Sequence, residues 1–169
     1  MKHVSIVRLL LVVSCSTVLL AQTLAKDPRI GNWKLNPAKS TYPAGTNAPQ
    51  MAARTYATRP DGYSVITQAT IGAQGNAFFN QGIYKVDGKP YPTYNTTSLA
   101  DFDAAGTKPG TAAFKLLDPN TVEITFRDNA GKVTSMATNT VSKDGKSLTV
   151  TNKDATGKAV PGATVWDKQ

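Results

Sequence analysis

Apolar and polar residues alternate with a period of two along most of this chain, and this alternation restricts the fold more than any other feature. In the run 121–127, Val122, Ile124 and Phe126 fall on one face, and polar side chains fall on the other. Such alternation is typical of a half-buried antiparallel strand. No stretch after residue 25 shows a helical period over ten residues. The pattern therefore predicts an all-β protein.

Turn residues separate the alternating runs. Asp87-Gly88 and Asp144-Gly145 are hairpin signals, because glycine supplies the positive φ of a tight turn. Asp118-Pro119-Asn120 is typical of a type I turn. The runs between these turns predict ten strands, at 30–36, 50–58, 63–71, 77–86, 89–97, 111–117, 121–127, 132–142, 147–153 and 160–167.

Ten short strands joined by hairpins predict an antiparallel up-and-down meander. Closure into a barrel would leave no exposed strand edge, so we expect a closed barrel, with a β-sandwich as the alternative. An even number of strands brings the first and last together antiparallel, which would place Trp33 and Trp166 at one end. Pro90 and Pro92 cannot donate to a ladder and predict an edge or irregular strand.

The first 25 residues resemble a secretory signal peptide. Lys2, His3 and Arg8 precede an apolar region, and small residues lead to Ala25. We therefore predict cleavage after Ala25 and a periplasmic or secreted protein. Two alternatives remain open. A membrane-spanning helix needs about 20 apolar residues, but polar side chains interrupt this run. The sequence ending at Cys15 also resembles a lipoprotein signal, in which Cys15 would carry the lipid.

Residues 26–169 have the length of one ordinary domain. His3 and Cys15 are the only His and Cys of the chain, and both lie in the predicted signal peptide. This excludes from the domain a disulfide framework, the usual zinc sites, Ser-His-Asp triads and Cys nucleophiles. We therefore expect that this domain is not an enzyme and that it has no catalytic residue, no metal-binding residue and no cofactor.

The domain is basic. Lys2 and Arg8 fall in the signal peptide, which leaves 17 basic against 11 acidic residues and a net charge of +6. No run of basic residues alternates with aromatic ones, so nucleic acid is not an expected partner. A solvated surface accounts for the charge better than an anionic partner does. We expect a monomer that does not span the membrane.

The segment Gly31-Asn32-Trp33-Lys34-Leu35-Asn36-Pro37-Ala38-Lys39-Ser40 resembles the opening of a group of small exported bacterial proteins of unknown function. The resemblance continues through 84–92, 120–125 and 142–151. It implies a lipocalin-like fold and carries no activity or site. Gly31 and Trp33 are also similar to the first-strand motif of lipocalins and fatty-acid-binding proteins, in which Trp closes the barrel floor under a basic side chain. Arg127 and Lys168 are the candidates for that basic residue, and Trp166 would join the floor.

Small residues on the predicted inner faces indicate either a narrow packed barrel or a cavity. Arg54 and Tyr56 share one face of the second strand; pointing inward they could hold a carboxylate, and pointing outward they would be surface residues. Met136 is a further candidate for contact with a ligand. Asp101 and Asp103 are closely spaced carboxylates, which we interpret as a solvated loop edge.

Three functions follow as hypotheses. The first is an exported protein that binds a small apolar or amphipathic ligand inside a lipocalin-like barrel. The second is a structural or interaction module of the envelope with a packed barrel and no ligand. The third is an enzyme that uses Tyr, Lys or carboxylates inside the barrel.

Overall fold

The computed structural model describes residues 27–96 and 110–169. Their strands lie within two residues of the predicted bounds at both ends. They are β1 (Gly31–Leu35), β2 (Met51–Thr58), β3 (Ser64–Ile71), β4 (Ala77–Tyr84), β5 (Pro90–Thr96), β6 (Gly110–Asp118), β7 (Thr121–Arg127), β8 (Val133–Val141), β9 (Ser147–Asp154) and β10 (Ala159–Lys168).

The ten strands form a closed antiparallel up-and-down barrel, which confirms the predicted fold and excludes the sandwich. Every strand pairs with its neighbours in sequence, and β1 pairs with β10 to complete the ring. At this seam Trp33 is opposite Lys168, and Leu35 is opposite Trp166. The closure follows from the even number of hairpin-linked strands, because no edge is then left unpaired.

The strand with two prolines is accommodated by uneven pairing. Pro90 and Pro92 pair with Ala113 and Thr111 of β6. The pairing of β5 with β4 begins only at Thr93. The prolines therefore lie in the half of β5 that has no ladder to β4, where a missing N–H group leaves no bond unmade. The irregular strand predicted from these residues is present, although a closed barrel has no edge.

Alternation of direction gives the barrel two different ends. The end here called the floor carries the N-terminal segment 27–30 and the short turns 59–63, 85–89, 119–120 and 142–146. The opposite end, the mouth, carries the long connection 36–50 and the turns 72–76, 128–132 and 155–158. Thr41 of the long connection exchanges two backbone hydrogen bonds with Ala163 of β10, of 2.8 and 3.0 Å. The long connection is therefore fastened to the barrel wall.

The core lies inside the barrel and is best packed near the floor. Trp33, Tyr56, Tyr84, Val122 and Leu148 are buried there. They stand on five different strands, because each strand presents every second side chain to the interior. Among residues 27–96 and 110–169, no helix is long and apolar enough to cross a membrane.

Candidate functional site

A cavity of about 120 Å³ lies inside the barrel on the mouth side of the packed floor. Inward-facing side chains of eight strands, β2 to β9, surround it and combine apolar with polar groups. Its lining residues are Arg54, Tyr56, Ile66, Gln68, Asn80, Thr93, Phe114, Ile124, Phe126, Ala137, Asn139, Val150 and Asn152.

Small inward-facing residues leave this space. Gly82, Ala112 and Ala137 are buried on β4, β6 and β8, at positions where larger side chains would project into the barrel. Ala137 lines the cavity itself, whereas a Cβ atom on Gly82 would meet the side chain of Ile66 at 3.4 Å, so Gly82 makes room for Ile66 in the cavity wall. Because protein interiors are otherwise packed as densely as organic crystals, a cavity that persists here requires such residues.

Arg54 supplies the positive charge of the cavity. Its guanidinium carbon lies 4.0 Å from the ring centroid of Trp166, so the aromatic face supports the cation. Arg54 Nε donates to Gln68 Oε1 at 2.8 Å, and Nη1 donates to Tyr56 Oη at 3.3 Å. These contacts use two of the five N–H donors of arginine. Within the described part of the chain, no carboxylate forms an ion pair with Arg54.

Tyr56 and Asn139 form the polar base of the cavity. Asn139 Nδ2 donates to Tyr56 Oη at 3.3 Å, so this oxygen accepts from both Asn139 and Arg54. Asn139 is only 1% exposed, yet its Oδ1 atom has no hydrogen-bond partner among the described residues. A buried amide oxygen without a partner costs about 1–3 kcal/mol. The site therefore offers a strong unused acceptor next to an arginine.

The rest of the wall exposes more apolar than polar surface, although Asn80, Thr93 and Asn152 also line it. Ile66, Ile124 and Val150 line the cavity beside the polar base, and Phe126 lies toward the mouth. Gln68 Nε2 donates to Thr70 Oγ1 at 3.1 Å. This bond fixes the orientation of the Gln68 amide, whose Oε1 atom accepts the hydrogen bond from Arg54 Nε. A molecule with one polar end and an apolar body matches this division.

A buried ion pair seals the floor below the cavity. Arg29 binds Asp27 through Nε at 2.9 Å and Nη2 at 2.8 Å, and both side chains are almost completely buried. Tyr84 Oη donates to Asp27 at 2.9 Å and accepts from Arg29 at 3.0 Å. Trp33 Nε1 donates to the Arg29 carbonyl oxygen at 2.7 Å. The segment before β1 is thereby held inside the barrel.

Three aromatic rings surround the Arg29 guanidinium. Its central carbon lies 4.7 Å from the ring centroid of Tyr56, 5.3 Å from Phe114 and 5.4 Å from Tyr84. Tyr84 and Phe114 stack with centroids 3.7 Å apart. Tyr56 thus separates the two arginines: its ring covers Arg29 and its hydroxyl group meets Arg54.

The environment shifts the pKa values of the floor groups in opposite directions. Burial alone would raise the pKa of Asp27, but the charge of Arg29 and the hydrogen bonds from Arg29 and Tyr84 hold the pKa of this carboxyl below its usual value. Burial raises the pKa of Tyr84 far above its usual value. Asp27 is therefore ionised and Tyr84 neutral at neutral pH, and the floor carries a compensated ion pair.

The structure brings two of the three candidate ligand-binding residues into the cavity. Arg54 and Tyr56 both point inward and line it. Met136 lies between Ser135 and Ala137 on β8 and is not part of the lining. Because successive side chains of a strand alternate between faces, Met136 stands on the outer face, opposite the face that carries Ala137 and Asn139.

The residues expected at the floor occupy neighbouring strands. Trp33 and Trp166 are both buried, and Trp166 stands one inward-facing position closer to the mouth. Lys168 Nζ lies 5.2 Å from the ring centroid of Trp33, whereas Arg127 donates to Gly131 at the mouth. Gly31 has φ +137°, and a Cβ atom there would lie 2.8 Å from Lys168 Cε. Because glycine at position 31 leaves room for the Lys168 side chain, this basic side chain can lie over the indole of Trp33.

Sequence reasoning missed Arg29 and Asn139. Charged residues are usually exposed, and nothing in Asp27-Pro28-Arg29 marks them as buried except an acid and a base two residues apart next to the first strand. Asn139 lies in a strand with small or polar residues on both faces, so the sequence does not show which face points inward. Asp101 and Asp103 lie outside the described residues. Within those residues, no three acidic, His or Cys side chains are grouped to hold a metal ion.

No family model matches this chain, and no curated protein matches its sequence.

Proposed function

We propose that this protein is exported and binds a small apolar or amphipathic molecule inside its barrel. The observation that carries the proposal is the cavity of mixed polarity between a sealed floor and a mouth formed by loops. Concave sites with apolar walls and a few convergent polar groups are the usual form of small-molecule sites. Arg54, Tyr56 and Asn139 supply the polar groups, and the isoleucines and Val150 supply the wall.

The size of the cavity indicates how much of the ligand is enclosed. An engineered protein cavity of about 150 Å³ holds benzene. The present cavity of about 120 Å³ therefore encloses a group of similar size. A larger ligand would keep its polar end beside Arg54 and extend its apolar part past Phe126 toward the mouth.

The export part of the proposal is supported by the sequence. A basic start, an apolar stretch and the small residues before Lys26 match a secretory signal. The similarity of 31–40 to exported lipocalin-like proteins supports it further. Mass spectrometry of the protein recovered from its own host tests this part, and we expect a chain that begins at Lys26. A chain lipidated at Cys15 would contradict cleavage after Ala25.

Native mass spectrometry of the same preparation tests binding. We expect a complex heavier than the chain by a discrete small-molecule mass, which is lost when the protein is unfolded. Ala137→Leu adds three carbons inside the cavity and should abolish the complex while the barrel melts at a similar temperature. Ala53→Leu makes the same change on an exposed outer position and serves as the control. A wild-type protein without bound mass, or equal occupancy in Ala137→Leu, would contradict the proposal.

A second candidate function is an interaction module of the envelope. The outer face of β2 to β5 carries no charged side chain at positions 51, 53, 55, 57, 65, 67, 69, 71, 77, 79, 81, 83, 90, 92 and 94. Phe79 and Tyr94 are 54% and 58% exposed on this face. In contrast, the outer faces of β6, β7 and β9 carry Lys115, Glu123 and Lys153. An exposed apolar surface of this kind favours contact with another molecule.

Site-specific photo-crosslinking in the host tests the second candidate. A crosslinker at position 79 should capture a defined envelope component, and a crosslinker at Thr151, which is exposed on β9, should not. Equal capture from both positions would show nonspecific contact and would count against an interaction face.

A further inference from the structure

The cavity carries one positive charge that no described carboxylate neutralises. Arg29 beneath it is already paired with Asp27, whereas the contacts of Arg54 among the described residues are with neutral groups, namely Gln68, Tyr56 and Trp166. Three of the guanidinium N–H donors of Arg54 are not used by these bonds. Since the indole covers a face of the cation, these donors lie at its edge, where a carboxylate binds through two parallel hydrogen bonds.

The same site also offers an acceptor. Asn139 Oδ1 is buried without a described partner, and Asn139 lines the cavity. Its Nδ2 atom is held by Tyr56 Oη, which fixes the direction of the amide. An anion alone would be repelled by this oxygen, so a matching ligand presents an O–H or N–H donor to it.

Tyr56 limits the distance between the Arg54 guanidinium and the Asn139 amide. Arg54 Nη1 and Asn139 Nδ2 both donate to the Tyr56 hydroxyl oxygen, each at 3.3 Å. The guanidinium and the amide are therefore no farther apart than two hydrogen-bond lengths. A donor on the carbon next to the anionic group of the ligand, or on the following carbon, lies within this limit.

A carboxylate fits better than a phosphate. A single guanidinium compensates one negative charge, and no second cation lines the cavity within the described part of the chain. About six non-hydrogen atoms fill a cavity of this size, which is enough for a carboxylate, the adjacent carbon and its donor. The apolar remainder of the ligand then meets Ile124, Val150 and Phe126.

We propose that the ligand is a carboxylate with a hydroxyl or N–H group on a neighbouring carbon, that Arg54 binds the carboxylate, and that Asn139 accepts the hydrogen bond of the donor. This inference rests on the proposed ligand-binding function and specifies the chemistry of its polar end. It assigns Arg54 and Asn139 separate roles, because one recognises charge and the other recognises the donor.

Isothermal titration of the purified protein with probes that share a six-carbon chain tests the proposal. We expect 2-hydroxyhexanoate to bind most tightly. Hexanoate lacks the donor, 2-methoxyhexanoate replaces it by an acceptor, and 1,2-hexanediol lacks the charge; each should bind about tenfold more weakly or worse. Hexyl phosphate, with a second charge and a larger head, should also bind more weakly than 2-hydroxyhexanoate.

Two variants separate the roles of the residues. Arg54→Gln should weaken both acids about tenfold or more and leave the diol unchanged. Asn139→Leu has a similar shape and should remove the preference for 2-hydroxyhexanoate over hexanoate. Arg59→Gln and Asn129→Leu make the same changes at exposed positions and should change no affinity. Circular dichroism checks each fold, and the wild-type probe series decides the question if a variant does not fold.

The possible failures are distinguishable. If no probe binds, charged or neutral, ligand binding in the barrel is itself contradicted. If all probes bind with similar affinity, or if 2-methoxyhexanoate equals 2-hydroxyhexanoate, the barrel binds ligands but the proposed recognition by Arg54 and Asn139 is wrong.

Discussion

At the scale of single residues, the Asp27–Arg29 pair holds the floor of the barrel. Both side chains are almost fully buried, so removal of one partner leaves the other charge without compensation. Asp27→Asn should lower the free energy of unfolding by about 3–5 kcal/mol, because Arg29 cannot lose its proton. Urea denaturation measures this change. Lys153→Met breaks the more exposed pair with Glu123 and should cost about 1 kcal/mol or less. Equal losses in the two variants would refute a structural role for the floor pair.

The same carboxyl makes stability depend on pH. Its folded pKa is lowered by Arg29 and Tyr84, so its contribution is complete above the ordinary pKa of about 4 and is lost as the pH falls through the folded value. The stability difference between wild type and Asp27→Asn should therefore be largest near pH 7 and shrink below about pH 4. Parallel urea titrations at pH 7 and pH 2.5 (about 4.5 units apart) measure it. A gap that stays constant across this range would contradict the assignment.

At the scale of elements, the long connection 36–50 depends on one glycine of β10. Gly162 has φ +98°, and a Cβ atom there would lie 2.8 Å from the Thr41 backbone oxygen. Gly162→Ala should therefore break the two bonds between Thr41 and Ala163 and speed hydrogen exchange of both amides. It should also cost about 2 kcal/mol or more, since backbone strain alone contributes about 1–2 kcal/mol.

Gly157→Ala provides the control for this prediction. Gly157 also has a positive φ, of +87°, but a Cβ atom there meets nothing within 4 Å. The variant should show the backbone strain without faster exchange at Thr41. If both variants leave the Thr41 amide equally protected, the close approach of Gly162 does not hold the connection in place.

The strands could be predicted because each one carries its own local signal. Alternating residues and glycine turns fix where a strand begins and ends, whatever the other strands do. The local sequence does not determine whether a polar pair points into the barrel or out of it. Arg54 and Tyr56 could lie on either face of β2, and they point inward because of the way the complete barrel packs. The burial of Arg29 depends on Tyr84 and Phe114, more than 50 residues away, so the segment 27–30 alone could not reveal it.

At the scale of the whole molecule, closure makes every strand depend on two neighbours. The seam between β1 and β10 joins the first described strand to the last, and the core inside is continuous from Trp33 to Trp166. A small domain with one core and no free edge should unfold in a single cooperative transition. Fluorescence of the two tryptophans and far-ultraviolet circular dichroism should therefore give the same urea midpoint.

Single-tryptophan variants make this test specific to the seam. Trp33→Phe leaves Trp166 to report on β10 and the cavity beside Arg54, and Trp166→Phe leaves Trp33 to report on β1 and the floor. The two variants should differ in stability, because only Trp33→Phe removes the hydrogen bond to the Arg29 carbonyl oxygen, but within each variant fluorescence and circular dichroism should coincide. A fluorescence transition that precedes the loss of β structure in Trp33→Phe would mean that β10 leaves the barrel first, and that the seam opens before the rest of the wall.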